Sequence, residues 1–85
     1  MPKMFKLLEN ELGLLHSSYS KTFVFAKNIE TFADYILEDD DKNNYTKDMI
    51  NIVEKISQSI FQMSERIKIE QEYIEKIKKE IIELY

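Results

Sequence analysis

The chain has 85 residues and a net charge of −4, with 33% of its residues charged, 44% hydrophobic and no cysteine. This balance predicts a folded chain rather than a disordered one, and the length allows one domain, residues 1–85. A core of that size is thin unless helices pack closely or subunits associate. The absence of cysteine excludes disulfides and thiolate chemistry and agrees with a reducing, cytoplasmic location. No stretch approaches the roughly 18 apolar residues of a membrane span, and the start lacks a signal-peptide pattern, so we expect no membrane partner.

A seven-residue repeat predicts the first helix, from about residue 3 to residue 38. Its apolar or small residues alternate at spacings of three and four: Phe5, Leu8, Leu12, Leu15, Tyr19, Thr22, Ala26, Ile29, Ala33 and Ile36. Gly13 and residues 16–20 have low helix propensity, and a break there would give three helices in the chain instead of two. The repeat keeps its phase through this segment, which favours one continuous helix.

An acidic turn is predicted at residues 38–44, where Asp and Asn predominate. Asn43 or Asn44 is the expected N-cap of the second helix, with Asp48 near the positive end of its dipole. Asp39, Asp41 and Asn43 have the spacing of the first three ligands of a calcium loop. The loop's glycine is replaced by Asn44, however, and its closing glutamate by Ile50, so we expect a solvated turn and no metal site.

The second helix is predicted from about residue 45 to residue 84 by the same repeat. Its members are Met49, Val53, Ile56, Ile60, Met63, Ile67, Glu70, Ile74, Ile77, Ile81 and Leu84. Glu70 is the one charged residue among them. A buried unpaired charge is costly, so we expect Glu70 to lie toward an end of the bundle, to pair with a lysine, or to fix the register.

The repeat is wider than a two-helix coiled coil needs. With Phe5 and Val53 at heptad position a, the flanking e and g positions carry further large apolar residues. We therefore predict an all-α, antiparallel two-helix hairpin that dimerises into a four-helix bundle. Val24, at position f, is expected to face outward. The expected dimer interface comprises Phe23, Phe25, Phe32, Ile52, Ile60 and Ile67.

No arrangement of residues in the sequence supports catalysis or cofactor binding. The single histidine, His16, has serines nearby, but a nucleophile also needs an orienting group and an oxyanion site, so a half-exposed structural histidine is expected. Helical carboxylates could hold a di-metal centre only with Glu-x-x-His pairs, and the chain has none.

Acidic residues near the turn form the candidate partner-binding surface. They are Glu30, Asp34, Glu38, Asp39, Asp40 and Asp41. Acids here are unfavourable both to each other and to the negative end of the first helix dipole, so stability alone would not select them. The alternatives are a solvated turn and a docking site for a basic partner protein.

The function that the sequence favours is a small non-enzymatic adaptor, inhibitor or assembly factor acting as a homodimer. The first alternative is an RNA- or DNA-binding hairpin dimer, similar in architecture alone to the plasmid RNA-binding protein Rop. Nucleic acid is disfavoured, because the nearest basic patch, around Lys3, Lys6, Lys76, Lys78 and Lys79, is interspersed with glutamates. The second alternative is an accessory subunit whose bundle is completed by a different protein.

Overall fold

The computed structural model describes residues 3–84, which form two long helices joined by a short turn. Helix α1 spans Lys3–Leu37 and helix α2 spans Lys47–Ile82, with one 3-10 turn at Lys42–Asn44. Gly13 of α1 lies beside Lys78 near the end of α2, and Ile36 near the end of α1 shares a groove with Val53 near the start of α2, so the helices are antiparallel. The predicted all-α hairpin is confirmed as a rod measuring 63 × 16 × 15 Å.

Helix α1 is continuous through the segment where a break was the alternative. The chain there is linked to α2 by polar contacts: the Gln71 side-chain amide donates to the hydroxyl of Ser20 and, at 3.3 Å, to the backbone carbonyl of His16. These contacts offset the low helix propensity of residues 16–20.

The turn is organised by its own carboxylates. Asp39 accepts a hydrogen bond from the backbone N–H of Asp41 at 2.9 Å, and Asp41 accepts one from Asn43 at 3.2 Å. The Asn44 N–H donates to the backbone carbonyl of Asp41 at 3.3 Å. Both asparagines thus belong to the turn and not to the helix cap.

Thr46 is the N-cap of α2, so the expected cap at Asn43 or Asn44 is wrong. The Thr46 hydroxyl accepts a hydrogen bond from the Met49 N–H at 3.1 Å, and the Met49 sulfur receives the Thr46 N–H at 3.5 Å. Asp48 lies in the first turn, as predicted, where the helix dipole favours an acid.

The two helices pack along heptad positions a and e, which we call the intrachain seam. On α1 the seam comprises Glu9, Leu12, His16, Tyr19, Phe23, Ala26, Glu30, Ala33 and Leu37; on α2 it comprises Ile50, Val53, Ser57, Ile60, Ser64, Ile67, Gln71, Ile74, Lys78 and Ile81. Every one of these residues is buried or half-buried. Position d is less covered than the seam, because Ile29 and Ile56 are each 39% exposed, although Ile36 and Ile77 are half-buried.

Small residues permit this choice of seam. Ala26, Ala33 and Ser64 are buried, and side chains of this size let two helix backbones approach closely. Ser64 is fully buried, and its hydroxyl donates to the backbone carbonyl of Phe61 at 2.9 Å, so the buried donor is satisfied. Neither helix, over residues 3–84, combines the length and apolarity that a membrane span requires.

Candidate functional site

Heptad positions d and g of both helices lie on one side of the hairpin, which we call the d/g face. On a helix with about 100° between residues, the centre of positions d and g lies about 110° from the centre of the seam. Ile29 of α1 and Ile56 of α2 line the same two shallow grooves, so the two helices contribute to one surface. The smaller groove, about 160 Å³, is completed by Phe32, Ala33, Ile36 and Val53, all apolar.

The half of the d/g face near the turn is largely apolar and open to solvent. From α1 it carries Phe25, Ile29, Phe32 and Ile36; from α2 it carries Met49, Ile52, Ile56 and Met63. All but Ile36 are exposed. The half near the other end carries Met4, Leu8, Leu15, Tyr73, Ile77 and Leu84, together with the exposed acids Glu11 and Glu80. Surfaces of this kind on small proteins usually mark association sites.

Four exposed polar residues lie between the two halves: Ser18 and Thr22 on α1, and Arg66 and Glu70 on α2. We call them the polar band. Glu70 accepts a hydrogen bond from Tyr19 at 3.1 Å and lies exposed near the middle of the rod. The expectations that it would lie toward an end or pair with a lysine are therefore wrong. Among residues 3–84, Arg66 has no carboxylate within ion-pair distance.

The residues predicted to form a dimer interface divide between the seam and the d/g face. Phe25, Phe32 and Ile52 are exposed on the d/g face. Phe23, Ile60 and Ile67 lie in the intrachain seam, and Ile67 is only 7% exposed, so these three have less surface to offer to a second chain. Val24 is exposed, as predicted.

The opposite flank of the hairpin is more polar than the d/g face. An open groove of about 350 Å³ there is lined by His16, Phe23, Lys68, Gln71, Glu72 and Glu75. His16 Nε2 lies 3.7 Å from Glu75 Oε2, and the imidazole is half-buried, in agreement with a structural role. Among residues 3–84, no three His, Asp or Glu side chains are grouped so that they could hold a metal ion.

On the same flank, Lys27 of α1 contacts residues of both helices. Lys27 Nζ lies 5.4 Å from the Phe23 ring centroid on its own helix and 5.9 Å from that of Phe61 on α2. It also lies 3.1 Å from Glu30 Oε2. That oxygen is buried and lacks a hydrogen bond of good geometry, so Lys27 supplies charge compensation and not a directed bond.

The predicted acidic surface does not form one continuous patch. Glu30 lies in the intrachain seam with a side chain only 14% exposed, whereas Asp34 is exposed on α1 and Glu38 is exposed directly after it. Asp40 and Asp41 are exposed in the turn, and Asp39 is half-buried. Partial burial and the nearby Asp39 carboxylate raise the pKa of Tyr45. Asp39 and Asp41 therefore have structural partners, and the freely exposed acids are fewer than the sequence indicated.

Arg66 and the a/e seam were not predicted from the sequence. Arg66 stands out only as the single arginine beside eleven lysines. A signal for the seam was present, because serine occupies positions 57 and 64, both e, where two backbones can approach closely.

No protein-family profile, curated protein sequence or solved structure matches the chain.

Proposed function

We propose that this protein is a non-enzymatic interaction module that acts as a homodimer of helical hairpins and docks a basic partner protein through its acidic turn. The homodimer is supported by the choice of helix face that is covered within the single chain. The hairpin covers positions a and e and leaves most residues at positions d and g, including Phe25, Phe32 and Ile52, exposed.

Position e, which the hairpin covers, is more polar than position d, which it leaves open. On α2 the e positions are Ile50, Ser57, Ser64, Gln71 and Lys78, whereas the d positions are Met49, Ile56, Met63, Glu70, Ile77 and Leu84. Burial of apolar area is the main favourable term in folding. A monomer that maximised its own burial would turn the d residues inward, so their outward position favours a second chain that covers them.

The core of the single chain also supports association. Over residues 3–84, the buried apolar residues are Ala26, Ala33, Ile67, Ile74 and Ile81. Two of these five are alanines, and a core this small contributes little against the conformational entropy of two long helices. Packing two d/g faces together would bury the exposed aromatic and aliphatic side chains as in a four-helix bundle.

The acidic turn supports the second part of the proposal. Residues 38–44 carry four acids and one lysine, a net charge of −3, within a chain whose total is −4. Asp34, one helical turn before Glu38, adds a further exposed acid near the negative end of α1, an arrangement that stability does not favour. Such a field accelerates encounter with a positively charged surface and weakens as salt is added.

The dimer is tested by Phe32→Glu, with Tyr35→Glu as a matched control. Both residues are exposed aromatics on α1, at 64% and 69%, but Phe32 lies on the d/g face and Tyr35 at position c, opposite the seam. By sedimentation equilibrium we expect a dimer for the wild type and for Tyr35→Glu and a predominantly monomeric Phe32→Glu. A monomeric wild type at micromolar concentration would overturn the homodimer.

A further inference from the structure

The polar band indicates how two hairpins would be oriented in the homodimer. Thr22 lies as far along the chain from Lys3, where α1 begins, as from Asp41 in the turn, so the band crosses the middle of the rod. Arg66 and Glu70 lie one helical turn apart on α2, on either side of residue 68. A charged residue of each sign thus lies on either side of the midpoint of the d/g face.

We propose that the two hairpins associate antiparallel, with their turns at opposite ends, and that Glu70 of each subunit pairs with Arg66 of the partner subunit. This inference rests on the proposed homodimer. A two-fold axis across the rod at the level of residue 68 places α2 against α2 of the partner, running in the opposite direction. The axis then brings position 66 opposite position 70, and position 70 opposite position 66.

The alternative arrangement places both turns at the same end. A two-fold axis along the rod then sets α2 against α1 of the partner at the same level, where Glu70 would face Ser18 and Thr22 of the partner subunit. Arg66 would have no carboxylate there. The antiparallel dimer is therefore the arrangement that gives both charges of the band an opposite partner when the interface excludes water.

The Tyr19 hydrogen bond agrees with this role for Glu70. The bond occupies Oε2 of the carboxylate at 3.1 Å and restrains the side chain, and a restrained partner forms a charge pair at a lower entropic cost. Arg66, exposed and without an ion-pair partner among residues 3–84, is available to reach the second oxygen.

Mixing two charge variants tests the pair between chains. In antiparallel homodimers, Glu70→Arg places two arginines against each other at both contacts, and Arg66→Glu places two glutamates there. An equimolar mixture restores opposite charges at both contacts. We expect each variant alone to dimerise about tenfold more weakly than the wild type, and native mass spectrometry of the mixture to show the heterodimer in excess over the statistical half. Repulsion within one chain would not be relieved by mixing.

A distance measurement tests the orientation directly. Because the chain contains no cysteine, Asn43→Cys introduces one spin label per turn. Antiparallel hairpins keep the two labels about 60 Å apart, whereas parallel hairpins bring them within about 20 Å. A short distance, or a mixture without heterodimer excess, would overturn this orientation while the homodimer stands. A monomeric wild type would remove both proposals.

Discussion

The hydroxyl of Tyr19 donates a hydrogen bond to Oε2 of Glu70 at 3.1 Å, joining the middle of α1 to the middle of α2. Tyr19 lies in the intrachain seam and Glu70 on the d/g face, so this bond links the surface that holds one chain together to the surface that we assign to the dimer. It also explains how a glutamate is accommodated in a series of apolar residues: its carboxylate remains exposed and accepts a hydrogen bond.

The first prediction concerns alkaline stability. The hydrogen bond to Glu70, the negative charge of Glu70 and slight desolvation raise the pKa of Tyr19. The folded state thus favours the protonated phenol. The resulting stabilisation is fully present below the unfolded pKa of about 10 and is lost as the pH rises through the higher folded value. Above about pH 10 we expect the unfolding free energy of Tyr19→Phe to fall less steeply with pH than that of the wild type. Urea denaturation at several pH values measures both.

Tyr35→Phe is the matched control, because Tyr35 is exposed at position c of the same helix. This variant should retain the wild-type alkaline profile. Identical profiles for Tyr19→Phe and the wild type would show that the bond to Glu70 is not maintained in solution.

The second prediction concerns Gly13, the only glycine in the chain. It lies inside α1, and a methyl group added there would meet Lys78 Nζ at 3.7 Å, an ordinary contact with a flexible side chain. Gly13→Ala is therefore expected to raise the unfolding free energy by about 0.5–1 kcal/mol, since alanine restricts the unfolded chain and favours helix. A destabilised variant in thermal melts would indicate that α1 is not continuous at this point.

The third prediction compares the seam with the surface. Ile67 is buried in the intrachain seam, and Ile67→Ala should lower the unfolding free energy by about 2–5 kcal/mol. Val24→Ala, on the exposed f position, should change it by less than about 0.5 kcal/mol. Both variants are compared by chemical denaturation at the same protein concentration, because the apparent stability of a dimer depends on concentration. The reverse ranking would mean that the seam is assigned to the wrong face.

The fourth prediction concerns the acidic turn. Replacing Asp34, Glu38, Asp39 and Asp41 by their amides removes repulsion and relieves the end of the α1 dipole. Asparagine oxygens can still accept the backbone bonds that Asp39 and Asp41 receive. We expect unchanged or higher stability, by up to about 1 kcal/mol.

Binding measurements on the same variant show whether the acidic turn is a docking surface or only a solvated turn. A basic protein that copurifies with the wild-type chain should associate with the amide variant more slowly, and most clearly at low salt. Equal association rates for both chains would leave the turn with a structural role alone.

Much of the architecture could be predicted from local pattern. The spacings of three and four predicted two helices, and the Asp- and Asn-rich segment predicted the turn between them. The N-cap was missed because Asn43 and Asn44 have the same capping chemistry as Thr46. Only the folded turn shows that both asparagine N–H groups donate to Asp41, which leaves Thr46 to cap α2.

The acidic surface was also predicted only in part from the sequence. The spacing of Glu30, Asp34 and Glu38 predicted one ladder of acids, but spacing does not say which side of a helix the partner helix covers. Glu30 lies in the seam beside Lys27, and only the other two remain exposed.

The sequence by itself determined that four heptad positions, a, d, e and g, carry the residues able to pack, because periodicity depends only on the order of side chains along the helix. It did not determine which of them meet within one chain, since d and e lie on opposite sides of a. The tertiary structure decided that: Ser57 and Ser64 allow close approach at e, and Gln71 reaches Ser20 across the seam. The larger d and g side chains are consequently left facing outward, because helix α1 can cover only one side of α2.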